Sequence, residues 1–331
     1  MNEGAAPQVS VVVTCRNNEE TIGECLQSIV ELDYPKDSLE IIVIDALSSD
    51  STVQIAAKYP VKMVSLPGNA PAAYNYAMKI ASYDILGFID SDAKVEKDWL
   101  KKLIPHLSNQ QTAGVSGNIE TWNYENLWAR SIGYDIKARY ARLAPFTGRV
   151  ATMNLLFKRS VLEEVGGFDE SFPSQYDTEL GFRISHKGYR IAFERKAKCY
   201  HFNRQTLRTY WRQQLQYGKN TVRLYFKYVG LMKGDAITDF GMNIQPLLIL
   251  VLIGSFFLGI LEIFRPLWYV STLILLLMFL YFVASAARTA TRFKDKTAMR
   301  LVVLYYVRSI AWLTGAAITG LNTIKRGDAL E

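Results

Sequence analysis

The stretch VSVVVTCRNNEETIGECLQSIVEL, Val9 to Leu32, decides how the first half of this 331-residue chain is read. Its opening, Val9 to Cys15, is a short β-branched run, the pattern of a buried strand. Asn17 or Asn18 can cap the helix that follows, in which Ile22, Leu26, Ile29 and Val30 recur at helical spacing. The unit then repeats. LEIIVIDAL from Leu39 reads as a strand, SDSTVQIAAKY as a capped helix, VKMVSL as a strand, APAAYNYAMKIA as a helix and ILGFID, Ile85 to Asp90, as a strand. Strands alternating with helices imply right-handed crossovers, so the expected class is α/β, with a Rossmann-like, mostly parallel sheet flanked by helices.

Sheets of this kind bind ligands beyond the carboxyl ends of their strands. Thr14 to Arg16, Asp45 and the pair Asp90 and Asp92 all fall at that end. Neither GxGxxG nor GxxxxGK[ST] occurs in the chain, which disfavours a dinucleotide dehydrogenase and a P-loop enzyme. What remains is an acidic cleft. Two carboxylates about 6 Å apart repel by roughly 3 kcal/mol at an effective dielectric of 20, and a divalent cation reverses the sign. The pair therefore asks for Mg²⁺ or Mn²⁺, which would also let an acidic cleft hold a diphosphate.

Working outward, the tail decides the compartment. LLILVLIGSFFLGIL, Leu247 to Leu261, carries no charge, and with its flanks it reaches bilayer length over 240–264. LWYVSTLILLLMFLYFVASAA, Leu267 to Ala287, is again uncharged, giving a second span over about 266–287. The third candidate, 301–321, contains Arg308, which costs about 2.5 to 3.5 kcal/mol at a helix centre and nearly cancels the apolar gain. Arg308 is expected to snorkel, to pair within the bundle or to meet a lipid phosphate. Arg288, Arg292, Lys294, Lys296 and Arg300 crowd the loop after the second span, so that loop and the region before residue 236 are expected on the cytoplasmic side of a prokaryotic cell membrane. MNEGAAPQ lacks the basic start and apolar run of a cleavable signal.

Three cysteines, Cys15, Cys25 and Cys199, without CxxC spacing argue against a disulfide framework and a thiolate zinc site. The net charge of +7 sits largely beside the apolar spans, so anionic lipid headgroups are the expected partner and nucleic acid is not. The alternation breaks between Gly117 and Phe157, where aromatics mix with Arg130, Lys137, Arg139, Arg142 and Arg149. Such a segment suits a ligand with an anionic phosphate head and a lipid tail, or is a solvated basic helix. In RQTLRTYWRQQLQYGKNTVRLYFKYVGLM, Arg204, Arg208 and Arg212 stand at i, i+4 spacing, which reads as an amphipathic helix on the inner leaflet. The expected organisation is an α/β domain with the acidic cleft over 1–203, an interfacial helix over 204–236 and a membrane domain over 237–331.

Four segments, VSVVVTCRNNEETIGECLQSI, EIIVIDALSSDST, FIDSDAKVEKDWL and VGGFDESFPSQYDTELGFRISHKGYRI, together resemble glycosyltransferase family 2 over roughly residues 8 to 203. The resemblance implies a GT-A fold, a hexosyltransferase activity with inversion, a nucleotide-diphosphate-sugar donor and a divalent metal. It implies Asp92 on the metal, Asp90 toward the ribose or the metal, Asp45 on the base or ribose, Thr14 and Arg16 on the nucleotide, and Asn75 near the diphosphate. Asp177 matches the family's catalytic base; taken alone, it reads equally as a helix cap for TELGFRISHKG, a helix that Gly188 ends. His201 matches a metal-ligating position, whereas a lone His near aromatics is more often packed or hydrogen-bonded. Arg130, Arg139, Arg149 and Arg212 are the candidate acceptor contacts.

The chain departs from the family pattern at Ala46, Tyr74 and Tyr176, where a second acid, an Arg and a Glu are usual. QQLQY, Gln213 to Tyr217, stands where processive synthases carry QxxRW. The expected function is transfer of one sugar to a polyprenyl- or dolichyl-linked acceptor. The alternatives are a processive polysaccharide synthase and a non-catalytic, membrane-anchored sugar-nucleotide-binding scaffold.

Overall fold

A computed structural model describes residues 6–235 and 237–326; the parts of the expected domains at 1–5, 236 and 327–331 lie outside the described residues. The elements run β1 (Val9–Cys15), α1 (Ile22–Val30), β2 (Leu39–Asp45), α2 (Thr52–Ala56), β3 (Lys62–Ser65), α3 (Ala70–Ile80), β4 (Ile85–Asp90), β5 (Ala93–Val95), α4 (Trp99–Leu103) and β6 (Thr112–Thr121). They continue with α5 (Leu127–Tyr140), β7 (Phe146–Thr147), β8 (Leu155–Lys158), α6 (Arg159–Glu164), α7 (Tyr176–His186), β9 (Arg190–His201) and α8 (Leu207–Lys227). Last come α9 (Phe240–Leu258), α10 (Leu267–Phe293) and α11 (Leu301–Arg326). The chain divides into two compact units, one of residues 1–122 and 143–202, the other of 123–142 and 203–331. The segment 123–142, expected within the α/β domain, thus groups with the C-terminal helices.

In the first unit the strands form one sheet in the order β3-β2-β1-β4-β8-β6-β9-β5, with β7 paired to β9. β1, β2, β3 and β4 pair in parallel, as βαβ crossovers require. Val9, Val11, Val12 and Val13 are fully buried, which explains why this strand reads as a continuous apolar run: helices cover both of its faces. Beyond β4 the sheet is mixed. β8 runs antiparallel to both β4 and β6, and β5 and β7 run antiparallel to β9, while β6 and β9 are parallel. The expected mostly parallel arrangement therefore holds for the first half of the sheet and gives way where short returning strands replace helical crossovers.

Register fixes the site. Thr14 lies beside Asp90 across β1 and β4, and Cys15 beside Asp45 across β1 and β2, so three strand ends share one rim. Ala93 pairs with His201, which brings the start of β5, just after Asp92, to the end of β9. All three cysteines are buried and free, and burial pushes the Cys15 thiol up to about 12, which makes it inert.

In the second unit three stretches are long and apolar enough to cross a membrane, Phe240–Leu258, Leu267–Phe293 and Lys296–Asn322. Their outward faces are exposed leucine, phenylalanine and valine, a surface that water disfavours and acyl chains accept. The first span ends at Leu258, short of the expected 264, because Gly259 lets the chain turn against Trp268; a Cβ there would fall 2.1 Å from that ring. Ser255 and Ser271 hydrogen-bond across the hairpin at 2.7 Å. The second span runs past Ala287 to Phe293 and stops at Lys294, which takes a left-handed conformation.

The third span settles how its arginine is accommodated. Arg308 is buried, 3.4 Å from the Asp135 carboxylate of α5, 3.4 Å from Gln245 Oε1 of α9, and over the Tyr305 ring. It pairs within the bundle. α8 presents Tyr210, Gln214, Gly218, Thr221 and Leu224 as a buried stripe at i, i+4 and i, i+3 spacing. That stripe meets α11: Trp312 Nε1 donates to Gln214 Oε1 at 3.0 Å, and Thr319 donates to the Lys219 carbonyl at 3.1 Å. Gly218 and Gly315 permit the approach, since a Cβ on Gly218 would lie 2.6 Å from Trp312 backbone and one on Gly315 would lie 2.5 Å from the Leu215 carbonyl. The buried face of α8 is therefore turned to protein, not to a leaflet as its amphipathic pattern implied.

Candidate active site

The rim loops are tied to one another before any ligand arrives. Asn17, in a left-handed conformation, accepts from Ser49 N at 2.8 Å, and Asn17 N donates to Ser48 Oγ at 2.9 Å. Asn18 N donates to Thr52 Oγ1 at 2.7 Å, which ties the β1 and β2 loops together. Arg16 lies exposed on this loop and Thr14 donates to the Tyr74 hydroxyl at 3.3 Å. Asp45, expected to reach the base or ribose, is only 1 % exposed. Ser48 donates to it through Oγ at 2.5 Å and through its amide at 3.1 Å, so this carboxylate shapes the loop from beneath.

At the adjoining strand end, Asp90 Oδ1 accepts from Tyr74 at 3.0 Å and from Thr152 at 3.1 Å. Burial first, then the neighbouring Asp92 charge, push the Asp90 carboxyl up to about 6; His201, Tyr74 and Thr152 offset part of the rise. His201 is nearly buried, with Nε2 3.5 Å from Asp92 Oδ1. Asp90, Asp92 and His201 thus form one neighbourhood. Among the described residues no three His, Cys, Asp or Glu side chains close into a metal cage. A hard divalent ion such as Mg²⁺ does not require one: it is commonly held by one or two carboxylates together with substrate phosphates. An acid pair whose mutual repulsion the neighbouring imidazole and hydroxyls offset only in part fits such an ion.

Tyr74 and Thr152 are the members of this site that sequence reasoning missed. Tyr74 is fully buried against Phe88, Phe168 and Tyr176, and its hydroxyl links Thr14 to Asp90. The signal was present: an aromatic with a polar tip stands where the family pattern has an Arg, at the first turn-and-a-half of a helix that otherwise faces the core. Thr152 gives no signal at the sequence level, because its role arises from a contact across 62 positions.

Asn75 is tied to a neighbouring loop. Its amide nitrogen donates to the Phe168 carbonyl at 2.9 Å and to Glu170 Oε1 at 2.8 Å, and its oxygen accepts from Phe168 N at 2.8 Å. Those bonds pin the loop that turns at Gly166 and Gly167, both at positive φ; a Cβ on Gly167 would strike the Asn75 oxygen at 2.6 Å. Glu179, fully buried, holds the same loop through Arg183, whose guanidinium lies 2.6 Å away and donates to the Gly167 carbonyl at 2.7 Å.

That loop leads to α7. The helix starts at Tyr176, with Gln175 at the cap position in a left-handed conformation, so Asp177 stands inside the first turn and does not serve as the cap. Asp177 Oδ1 accepts from Thr178 N at 2.7 Å. Burial raises its carboxyl above the usual range, and Arg149 with the Thr178 bonds offsets part of the shift. Gly188 ends α7 at positive φ, with Tyr189 N donating back to the Ile184 carbonyl.

Of the four candidate acceptor arginines, Arg149 lies in the first unit, where its charge acts on Asp177. Arg130, Arg139 and Arg212 belong to the second. There Arg130 donates to the Tyr124 carbonyl at 2.7 Å and pairs with Asp295 at 3.5 Å, and Arg139 pairs with Asp135 at 2.9 Å. Arg130 and Arg139 are thus held by the protein itself, while Arg212 is exposed.

The mixed α/β sheet with an acidic rim at its parallel strand ends is a GT-A-like domain, as its likeness to a solved glycosyltransferase shows, and apolar helices follow it. Residues 10–166 match the model of Glycosyl transferase family 2, and this region of the chain belongs to that family. The chain is 30% identical over 243 residues to the probable glycosyltransferase YdaM of Bacillus subtilis, covering 67% of this chain and 57% of YdaM. It is 29% identical over 196 residues to glycosyltransferase AglE of Haloferax volcanii, covering 56% of this chain and 64% of AglE. The chain therefore spans less than two thirds of the length of these curated relatives. Among solved structures, the fold is shared with the mannosyltransferase PcManGT from Pyrobaculum calidifontis in complex with GDP-Man and Mn²⁺, at a TM-score of 0.60 and 21% identity, over 96% of this chain and 88% of that one.

Proposed function

We propose that this protein is an inverting glycosyltransferase that moves one hexose from a nucleoside-diphosphate sugar to a membrane lipid-linked acceptor, a polyprenyl or dolichyl phosphate or a lipid-linked glycan, at the cytoplasmic face. The observation that carries the reading is the acid pair Asp90 and Asp92 beside His201, at the ends of the parallel strands of a family 2 domain. The complex of PcManGT with GDP-Man and Mn²⁺ supports a nucleotide sugar and a divalent ion here.

In this reading Asp92, with His201 and Asp90 beside it, would hold Mg²⁺ or Mn²⁺ together with the donor's phosphates, and the ion would supply Lewis-acid stabilisation of the departing diphosphate. The chain's own residues do the rest. Tyr74 and Thr152 fix the Asp90 carboxylate by hydrogen bonds, so the acid does not reorganise when the donor enters. Thr14 and Arg16 line the nucleotide side of the rim. Asp177 takes the proton from an acceptor hydroxyl as its oxygen attacks the anomeric carbon from the face opposite the leaving group. The elevated basicity that burial gives Asp177 suits this task, and the nearby Arg149 charge keeps its ionised form accessible. The three apolar helices anchor the protein, and the basic residues around the α10–α11 connection orient it with that connection inward.

The test is a panel of nucleotide sugars incubated with purified full-length protein, Mn²⁺ and a polyprenyl phosphate or lipid-linked glycan, scored by mass spectrometry. One new lipid-linked mass, larger by one hexose, is expected. A ladder of masses would instead identify a processive synthase, and nucleotide binding without any product would identify a non-catalytic scaffold.

A further inference from the structure

The helical unit contains a second built site that sugar transfer does not explain. A cavity of about 260 Å³ is lined from α5 by Asp135, Arg139 and Arg142, and from the three apolar helices by Gln245, Arg288 and Arg308 among others. It is smaller than the roughly 300–1,000 Å³ of typical small-molecule sites, which suits a headgroup better than a nucleotide. Four arginines and two acids, Asp135 and Asp239, line it, so it carries a surplus of positive charge.

Both acids are already committed. Asp135 faces Arg139 at 2.9 Å and Arg308 at 3.4 Å; Asp239 faces Arg142 at 2.9 Å and accepts from Met242 N at 2.9 Å as the cap of α9. Arg288 has no hydrogen-bond, ion-pair or ring partner among the described residues, and is exposed at the mouth together with Arg142 and Tyr281. A guanidinium left over on a membrane-facing helix is costly unless an anion meets it. The lining comes from the start of α9, the second half of α10 and the start of α11, the same end of all three spans and the end that carries Arg292, Lys294, Lys296 and Arg300. Basic pockets between spans at that end of a membrane protein receive anionic headgroups.

We propose that this cavity binds the phosphate of a membrane lipid headgroup, with Arg288 and Arg142 at the mouth and the Arg139–Asp135–Arg308 cluster as its floor. The inference rests on the three helices being membrane spans and is independent of the transfer reaction. It is tested by native mass spectrometry of the full-length protein in detergent, titrated with phosphatidylglycerol, phosphatidylcholine, polyprenyl phosphate or inorganic phosphate. Retention of one phosphatidylglycerol in preference to phosphatidylcholine is expected, weakened about fivefold by Arg288→Gln and unaffected by Arg292→Gln, which lies on the same helix outside the cavity. Ser285→Asp, which adds a carboxylate to the lining, is expected to abolish it. Competition by polyprenyl phosphate would support the same phosphate chemistry with the acceptor-type lipid as a source. Equal retention of both phospholipids, equal loss in Arg288→Gln and Arg292→Gln, or displacement by an equal concentration of inorganic phosphate would overturn the proposal.

Discussion

The two units each contain a cluster of buried charge, and the clusters are built on opposite principles. At the sheet rim, Asp90 and Asp92 stand together with one imidazole near them, and the shortage of positive charge shows in the Asp90 carboxyl, which burial and then Asp92 push up to about 6. In the helical unit the acid is outnumbered. Burial again pulls the Asp135 carboxyl upward, but Arg139 and then Arg308 outweigh it, and the group sits below its ordinary range. The contrast teaches how to tell a demand from a brace. Two adjacent acids that repel each other are suited to a cation; an acid gripped by two arginines already has what it needs and holds helices together.

The largest effect is expected at the first unit's base. With a hydroxyl-bearing acceptor, Asp177→Asn is expected to lower kcat by about 10²- to 10⁴-fold while donor affinity stays close to wild type. A pre-steady-state measurement of product formation alongside donor titration checks this, and a matching loss of donor affinity would mean that Asp177 shapes the fold and does not act as a base. An acceptor that is itself a phosphate arrives ionised, so the same variant tested on polyprenyl phosphate separates the two acceptor types.

A smaller effect, and one on stability in place of turnover, is expected in the second unit. Asp135→Asn leaves Arg139 and Arg308 without their counter-charge and is expected to cost about 3–5 kcal/mol, read as a lowered thermal midpoint of the detergent-solubilised protein. The sign with pH follows from the depressed carboxyl. Its contribution is present above the unfolded value near pH 4 and is lost as the pH falls through the lower folded value, so acid destabilises the wild type and leaves that part of the variant's stability unchanged. Smallest is the packing term. Gly218→Leu drives a side chain into Trp312 backbone and is expected to cost about 1–3 kcal/mol by the same assay, with no change in donor binding.

The first half of the sheet was legible because each buried parallel strand is a β-branched run and each helix between strands carries its own spacing signal. Legibility ends at α5. Its mixed pattern reads equally as a basic surface helix or an acceptor site, and what decides is Asp135, whose partners Tyr305 and Arg308 lie about half a chain away. Arg308 illustrates the same limit from the other side: sequence prices its burial, but only tertiary contact supplies the counter-charge that makes burial tolerable. At the site, Asp90 and Asp92 could be placed at the rim from strand ends alone, since register brings such ends together, whereas only the family resemblance singled out His201. Asp45 and Asn75 sit at equally suggestive positions, yet Ser48 bonds the buried Asp45 and the Phe168 backbone bonds the half-buried Asn75. Position in the sheet is written in periodicity, whereas the direction a polar side chain takes depends on which partner reaches it first.

Mn²⁺ binding to the full-length protein, followed by electron paramagnetic resonance with and without UDP or GDP, tests most directly whether the rim acids hold a cation that holds a diphosphate. The account predicts that one of these nucleotides tightens Mn²⁺ binding and that Asp92→Ala removes both the ion and the nucleotide's dependence on it. Nucleotide binding that is equally strong in chelator, or unchanged in Asp92→Ala, would contradict it.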